Sequence, residues 1–179
     1  MASIPDAGCS IARSLAILGE RWTLLIIRDA IEGFSRFEEF RRSLGVAPDI
    51  LTARLTTLVD HGVMTKVDYQ EPGQRRRSEY LLTDAGLDLL VVIAGLQQWG
   101  DRHHPYPAGP TLLRIDHPSG DEIHVGFIGS RGEVPSTDVR LEPTPTYSRE
   151  RLEARRQSSA RSRHERSRGG AGRPTGDPQ

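Results

Sequence analysis

The sequence predicts a mainly α-helical domain with one small β-hairpin, and three observations point there. Apolar residues recur at helical spacing from Cys9 to about His104. Glycines at 19, 33 and 45 each follow one of these runs, where a chain leaving a helix uses a residue without a Cβ. Two short segments of alternating character, Val63 to Tyr69 and Glu79 to Leu82, flank QEPGQRRRS, which carries the Pro and Gly of a turn.

The elements follow in order. Ser10 to Leu18 places Ile11, Leu15 and Leu18 on one helical face, and Gly19 ends that helix as a residue that tolerates positive φ. Trp22 to Ile31 repeats the spacing with Trp22, Leu25, Ile26 and Ile31 and stops at Gly33. Phe37 to Ser43 is a short third helix, with Phe37, Phe40 and Leu44 inward and Glu38, Arg41 and Arg42 outward. In VAPDILTARLTTLVDHG, Pro48 stands at a first helical position and Asp49 complements the positive end of the helix dipole. Leu51, Leu55, Leu58 and Gly62 mark its inward stripe. Its outward positions Asp49, Thr52, Ala53, Thr56 and Thr57 are small or polar, as a helix entering a DNA major groove requires and as solvent alone would also accept.

The hairpin comes next, with Val63, Thr65, Val67 and Tyr69 on one face and Arg75, Arg76 and Arg77 near its tip. Thr83 is placed to cap a last helix running to Arg102, whose residues Leu87, Leu89 to Ala94, Leu96 and Trp99 cover more than one face. A domain this small cannot surround such a helix, which implies a partner subunit. Helix, helix, short helix, groove-sized helix, hairpin and long helix together make a winged helix-turn-helix.

Composition narrows the function. The chain has 179 residues, 36% hydrophobic and 27% charged, and no run approaches the roughly 20 apolar residues of a membrane span. With no basic start followed by an apolar run, no signal peptide is expected, and the protein is read as cytoplasmic. A single cysteine, Cys9, excludes an internal disulfide and any zinc site built from several thiolates, so no metal and no cofactor are expected. There is no phosphate loop, no G-x-G-x-x-G opening a helix, no G-x-S-x-G and no H-E-x-x-H, so the reading is not an enzyme. The zero net charge is unevenly spread, and residues 148–179 hold nine Arg against four acidic side chains. Three zones result: residues 1–104 as the packed domain, 105–147 as a Pro- and Gly-rich extension, and 148–179 as an Arg-rich tail. Strand character in the extension falls on Thr111 to Ile115, Glu122 to Ile128 and Val139 to Leu141. The tail is expected to be disordered, apart from a short helix near Arg149 to Gln157.

The segments CSIARSLAILGERWTLLIIRDAIEGFSRFEEFRRSL, ILTARLTTLVDHGVM and RSEYLLTDAGLDLL, taken together and in order, resemble the HxlR-type bacterial transcription regulators, within the MarR-like superfamily. The match covers about residues 9 to 103. The resemblance implies a homodimeric, cytoplasmic DNA-binding repressor or activator, repressor by preference, whose first and last helices form the dimer interface. Ile11, Leu15, Leu90, Val91, Ala94 and Trp99 are the expected interface residues. It further implies that the helix from Pro48 to His61 lies in the major groove of a pseudo-palindromic operator and that the hairpin tip touches the neighbouring backbone or minor groove. Carried over by position, Asp49, Thr52, Ala53 and Thr56 become candidate base-edge neighbours, and Arg42, Arg54, Arg75, Arg76 and Arg77 candidate phosphate or minor-groove contacts. One departure bears on this: Ala47 stands where the family commonly has Ser or Thr, and its side chain cannot cap the helix. The stretches HPSGDE and FIGSRG resemble a zinc-ribbon-like tail of some members, but Ser119, Gly129 and Ser130 stand where sulfur is needed, which implies a degenerate element without metal.

Several features keep two readings each. The wing arginines either meet DNA phosphates or belong to a solvated loop, and the basic tail either adds non-specific affinity or only solubility. Cys9 matches a cysteine that some members use to sense electrophiles or oxidants, and it is equally an ordinary small residue at a dimer interface. For the whole chain, the alternative to a DNA-binding regulator with an unknown effector is a dimerisation and protein-interaction module that has lost specific DNA binding.

Overall fold

The computed structural model describes residues 8–70, 76–154 and 156–158. Of the described residues, those between 14 and 139 form one unit, and 8–13 with 140–154 and 156–158 form a second.

The first helix, α1 (Ser10–Leu18), turns Ile17 and Leu18 toward the core and leaves Ile11 and Leu15 exposed. Gly19 closes it without positive φ, contrary to the expectation. Its glycine requirement is steric, because a Cβ there would run into the Leu15 carbonyl oxygen. Helix α2 (Arg21–Ile31) buries Thr23, Ile26, Ile27 and Asp29. Helix α3 (Phe37–Leu44) buries Phe40 and ends at Gly45 with φ of 61°, a left-handed turn that favours glycine. Helix α4 (Pro48–Asp60) buries Leu51, Leu55 and Leu58, the predicted stripe. Val46, buried in the turn between α3 and α4, fixes the angle at which α4 leaves.

Strands β1 (Met64–Tyr69) and β2 (Arg77–Leu82) pair antiparallel, with Met64 opposite Leu82 and Tyr69 opposite Arg77. The first strand starts at Met64, one residue later than expected, with Val63 buried just ahead of it. Met64 is buried and Tyr80 and Leu82 pack on the core, whereas Thr65 and Val67 are exposed. A bridge between Arg36 and Glu79 and the bond from Tyr80 N–H to the Ser35 carbonyl (2.8 Å) tie the start of α3 to the hairpin edge.

The predicted last helix is two pieces, α5 (Asp84–Leu87) and α6 (Leu90–His103). Thr83 caps α5 as expected, its hydroxyl accepting from Gly86 N–H (3.2 Å) and donating to the Gly62 carbonyl (2.6 Å). Gly86 lies so close to the Val63 carbonyl oxygen that no Cβ fits. Residues 88–89 form a turn between the two pieces, with Leu89 N–H donating to the Gly86 carbonyl (3.2 Å).

Between residues 105 and 139 the backbone folds back along α6. Ile115 bridges Glu122, β3 (Phe127–Gly129) pairs with β4 (Gly132–Val134), and a 3-10 turn spans Ser136–Asp138. Most of the expected strand length is absent, and the Leu112 and Val125 carbonyls accept from Gln97 and Gln98 of α6. Val139 to Leu141 is not a strand. In the second unit residues 149–154 and 156–158 are helical, and Ser148 starts them, its carbonyl accepting from Leu152 N–H (3.0 Å). The rest of the expected disordered tail lies outside the described residues.

Candidate nucleic-acid interface

The nine core residues Ile26, Ile27, Phe40, Val46, Leu51, Leu55, Leu58, Val63 and Met64 come from α2, α3, α4 and the hairpin. They seat α4 on its leucine stripe and force its opposite face outward. On that face Asp49, Thr52, Ala53 and Thr56 are all exposed. Thr52 Oγ1 donates to the Pro48 carbonyl (2.7 Å), which turns part of its polarity back on the helix. Ala47 is the N-cap with no side-chain bond, so the N–H groups of the first turn are not met by a capping side chain.

The basic side chains divide by what already holds them. Arg42 on α3 and Arg77 at the start of β2 are exposed. Arg54 is half-buried, with Nη1 4.0 Å from Glu20 Oε1 ahead of α2. Arg76 is exposed and pairs with Asp68 across the hairpin (2.7 Å). Asp68 also accepts from Ser78 Oγ (2.7 Å), and that bond first and the Arg76 charge after it hold its carboxyl below the usual carboxylate range. Arg75 lies outside the described residues.

Other arginines are structural. Arg36 spans Glu79 (3.3 Å) and the Tyr69 ring (4.7 Å to its centroid), fixing the hairpin against α3. Glu39 accepts from the backbone N–H groups of Arg36 (2.9 Å) and Ser35 (3.0 Å), which lower its pKa and secure the start of α3. Neither role was read from the sequence, since both depend on side chains meeting residues outside their own helix.

Cys9 precedes α1 and is a half-buried thiol, and its carbonyl accepts from Arg13 N–H (3.0 Å). The six expected interface residues fall on separate surfaces. Ile11 and Leu15 lie on α1 and Trp99 on the outer side of α6, all exposed. Leu90, Val91 and Ala94 instead line a cavity walled by residues 111–115 and 123–125. Among the described residues no group of three or more His, Cys, Asp or Glu is placed to hold a metal ion. No helix among them is long and apolar enough to cross a membrane.

Two helices joined by a tight turn, the second projecting a small polar face, with a hairpin beside it, define a helix-turn-helix transcription regulator of the winged kind. The chain belongs to the HxlR-like helix-turn-helix family, whose model matches residues 17–107. It is similar to the HTH-type transcriptional regulator Rv3095 of Mycobacterium tuberculosis, 39% identical over 142 residues, covering 78% of this chain and 89% of the relative. The HTH-type transcriptional regulator YdeP of Bacillus subtilis is 31% identical over 97 residues, covering 54% of this chain and 74% of the relative. Among solved structures, PA1607, assigned as a transcription factor, superposes with a TM-score of 0.67 at 36% identity, covering 77% of this chain and 96% of that one. A second assigned transcription factor, PA1374 of Pseudomonas aeruginosa, gives 0.53 at 36% identity, covering 79% and 97%. The chain is a transcriptional regulator of the helix-turn-helix type, a family of DNA-binding proteins and not of enzymes.

Proposed function

We propose that this regulator acts in the cytoplasm as a homodimer on a pseudo-palindromic operator, with one α4 in each of two major-groove half-sites about 34 Å apart. The observation that carries it is the outer face of α4, where four exposed small or polar side chains stand opposite a fully buried leucine stripe. Asp49, Thr52, Ala53 and Thr56 are the base-edge neighbours. Arg42, Arg54, Arg76 and Arg77, with Arg75 at the hairpin tip, supply phosphate contacts. Asp49 faces a donor such as a cytosine amine, because a phosphate would repel it.

For the dimer we keep Ile11, Leu15 and Trp99 and add Val92 and Leu96, since these last two share an exposed stripe of α6 with Trp99. Leu90, Val91 and Ala94 lie on a different face. Repression follows if the operator overlaps a promoter. We assign thiol sensing to Cys9: a peroxide takes two electrons from its thiolate and leaves a sulfenic acid, which condenses with the partner's Cys9 or a small thiol to a disulfide with loss of water.

The test is a fluorescence anisotropy titration on DNA upstream of the protein's own gene, against a scrambled duplex, before and after diamide. Preference for the upstream DNA supports the operator reading. Unchanged affinity with the thiol demonstrably modified removes sensing from Cys9, and no preference favours the interaction-module alternative.

A further inference from the structure

The stretch from residue 111 to 125 is held along α6 by bonds that only its glutamines make. Gln97 Nε2 donates to the Leu112 carbonyl (2.7 Å), Gln98 Nε2 donates to the Val125 carbonyl (2.8 Å), and Val125 N–H donates to Gln98 Oε1 (2.8 Å). Between this stretch, α2 and α6 lies a cavity of about 790 Å3, within the range of small-molecule sites. Its walls are mostly aliphatic, including Ile31, Leu90, Ala94, Leu112, Ile115 and Ile123. Leu90 and Val91 remain more than half exposed, so it is open on one side.

The polar groups in the lining are unequal. Arg28 is taken up by Asp29 (2.6 Å) and lies 4.0 Å from Glu32, and His124 meets Glu133 (2.9 Å). Glu32 is exposed beside Arg28, and Asp88 lies in the turn between α5 and α6. Arg114 is different. Its side chain is mostly buried, it forms an ion pair with the Asp101 carboxylate at 3.8 Å from Nη1, too long for a hydrogen bond, and Nε and Nη1 have no hydrogen-bond partner. A buried guanidinium with unmet donors is costly, and an acceptor placed beside it offsets that cost.

We propose that this cavity binds a small hydrophobic acid, its apolar body against the aliphatic walls and its anionic group at Arg114. A second copy of the chain is the other candidate occupant, and helix geometry separates the two. At about 100° per residue, Leu90, Ala94 and Gln97 share one face of α6, while Val92, Leu96 and Trp99 lie on another. The first face lines the cavity together with residues 111–115 and 123–125, and Val92, Leu96 and Trp99 on the second face do not line it.

The test uses the full chain and two dyes with one aromatic frame, anionic 8-anilino-1-naphthalenesulfonate and neutral N-phenyl-1-naphthylamine. Both are expected to bind saturably at one site per chain. Filling the cavity with Ala94→Phe, or with Leu113→Trp should the first variant fail to fold, weakens both dyes. Arg114→Met weakens the anionic dye about tenfold or more, the scale of one charged hydrogen bond, and leaves the neutral dye within about twofold. Leu96→Glu on the other face leaves both unchanged. The proposal is overturned if the filling variants change neither dye, if Arg114→Met weakens both equally, or if Leu96→Glu abolishes binding. It is also overturned if Ala94→Phe yields monomers while dye binding persists, which assigns the face to a second copy.

Discussion

At the scale of single residues, the account separates charges that build the fold from charges left for DNA. Glu39 belongs to the first kind. Its carboxyl is held below the ordinary value of 4.5 by the backbone N–H groups of Arg36 and Ser35. A carboxylate with a depressed folded pKa stabilises above its unfolded pKa and loses that contribution as pH falls through the folded one. Glu39→Ala should therefore cost about 1 kcal/mol near pH 7, with the deficit shrinking below about pH 4.5, read from urea midpoints across pH. Arg76 belongs to the second kind and is restrained by Asp68 at 2.7 Å. Asp68→Asn removes a charge that phosphates repel and releases the guanidinium. DNA affinity should rise slightly, as expected on losing one exposed surface pair, whereas Arg76→Ala should lower it and reduce the salt slope by about 1. An anisotropy series in rising NaCl reads both.

At the scale of elements, α4 is seated firmly along its length and weakly at its start. Three fully buried leucines hold one face, and Leu55→Ala should cost about 2–5 kcal/mol in denaturant unfolding by opening a cavity in the core. The start has no capping side chain, because Ala47 occupies an extended N-cap with φ of −62° and ψ of 141°. Ala47→Ser should stabilise the protein by about 1 kcal/mol, seen as a raised urea midpoint. No change would mean that the first-turn N–H groups are already satisfied. The order of α2, α3 and α4 was readable because each buries residues against one core, so 3.6-residue spacing reports it directly. One reading missed a junction. The last helix is divided at residues 88–89, where Asp88 and Leu89 stand within the apolar run and neither Gly nor Pro marks the division.

For the whole molecule, the exposed apolar stripe of Val92, Leu96 and Trp99 on α6 carries the proposed homodimer. If it does, Trp99→Glu should give monomers in size-exclusion chromatography with light scattering where the unaltered protein gives dimers. Since two half-sites bind as one, operator affinity should fall far more than affinity for a single half-site. The apolar excess on the last helix already pointed to a partner in the sequence. That one face of this helix lines a cavity was not legible there, because it depends on Gln97 and Gln98 reaching Leu112 and Val125. The groove-facing residues of α4 were legible for a simpler reason: they are what remains of that helix once its leucines are buried.

The central claim, that the outer face of α4 reads base edges, is tested most directly by adding bulk and charge there without touching the core. Thr52 and Thr56 are both exposed and one turn apart, so Thr52→Glu with Thr56→Glu should leave the unfolding midpoint nearly unchanged. In an anisotropy titration of operator against scrambled duplex, the account predicts that this variant loses its preference and retains only salt-sensitive, non-specific binding. A variant that still prefers the operator as the unaltered protein does would contradict it.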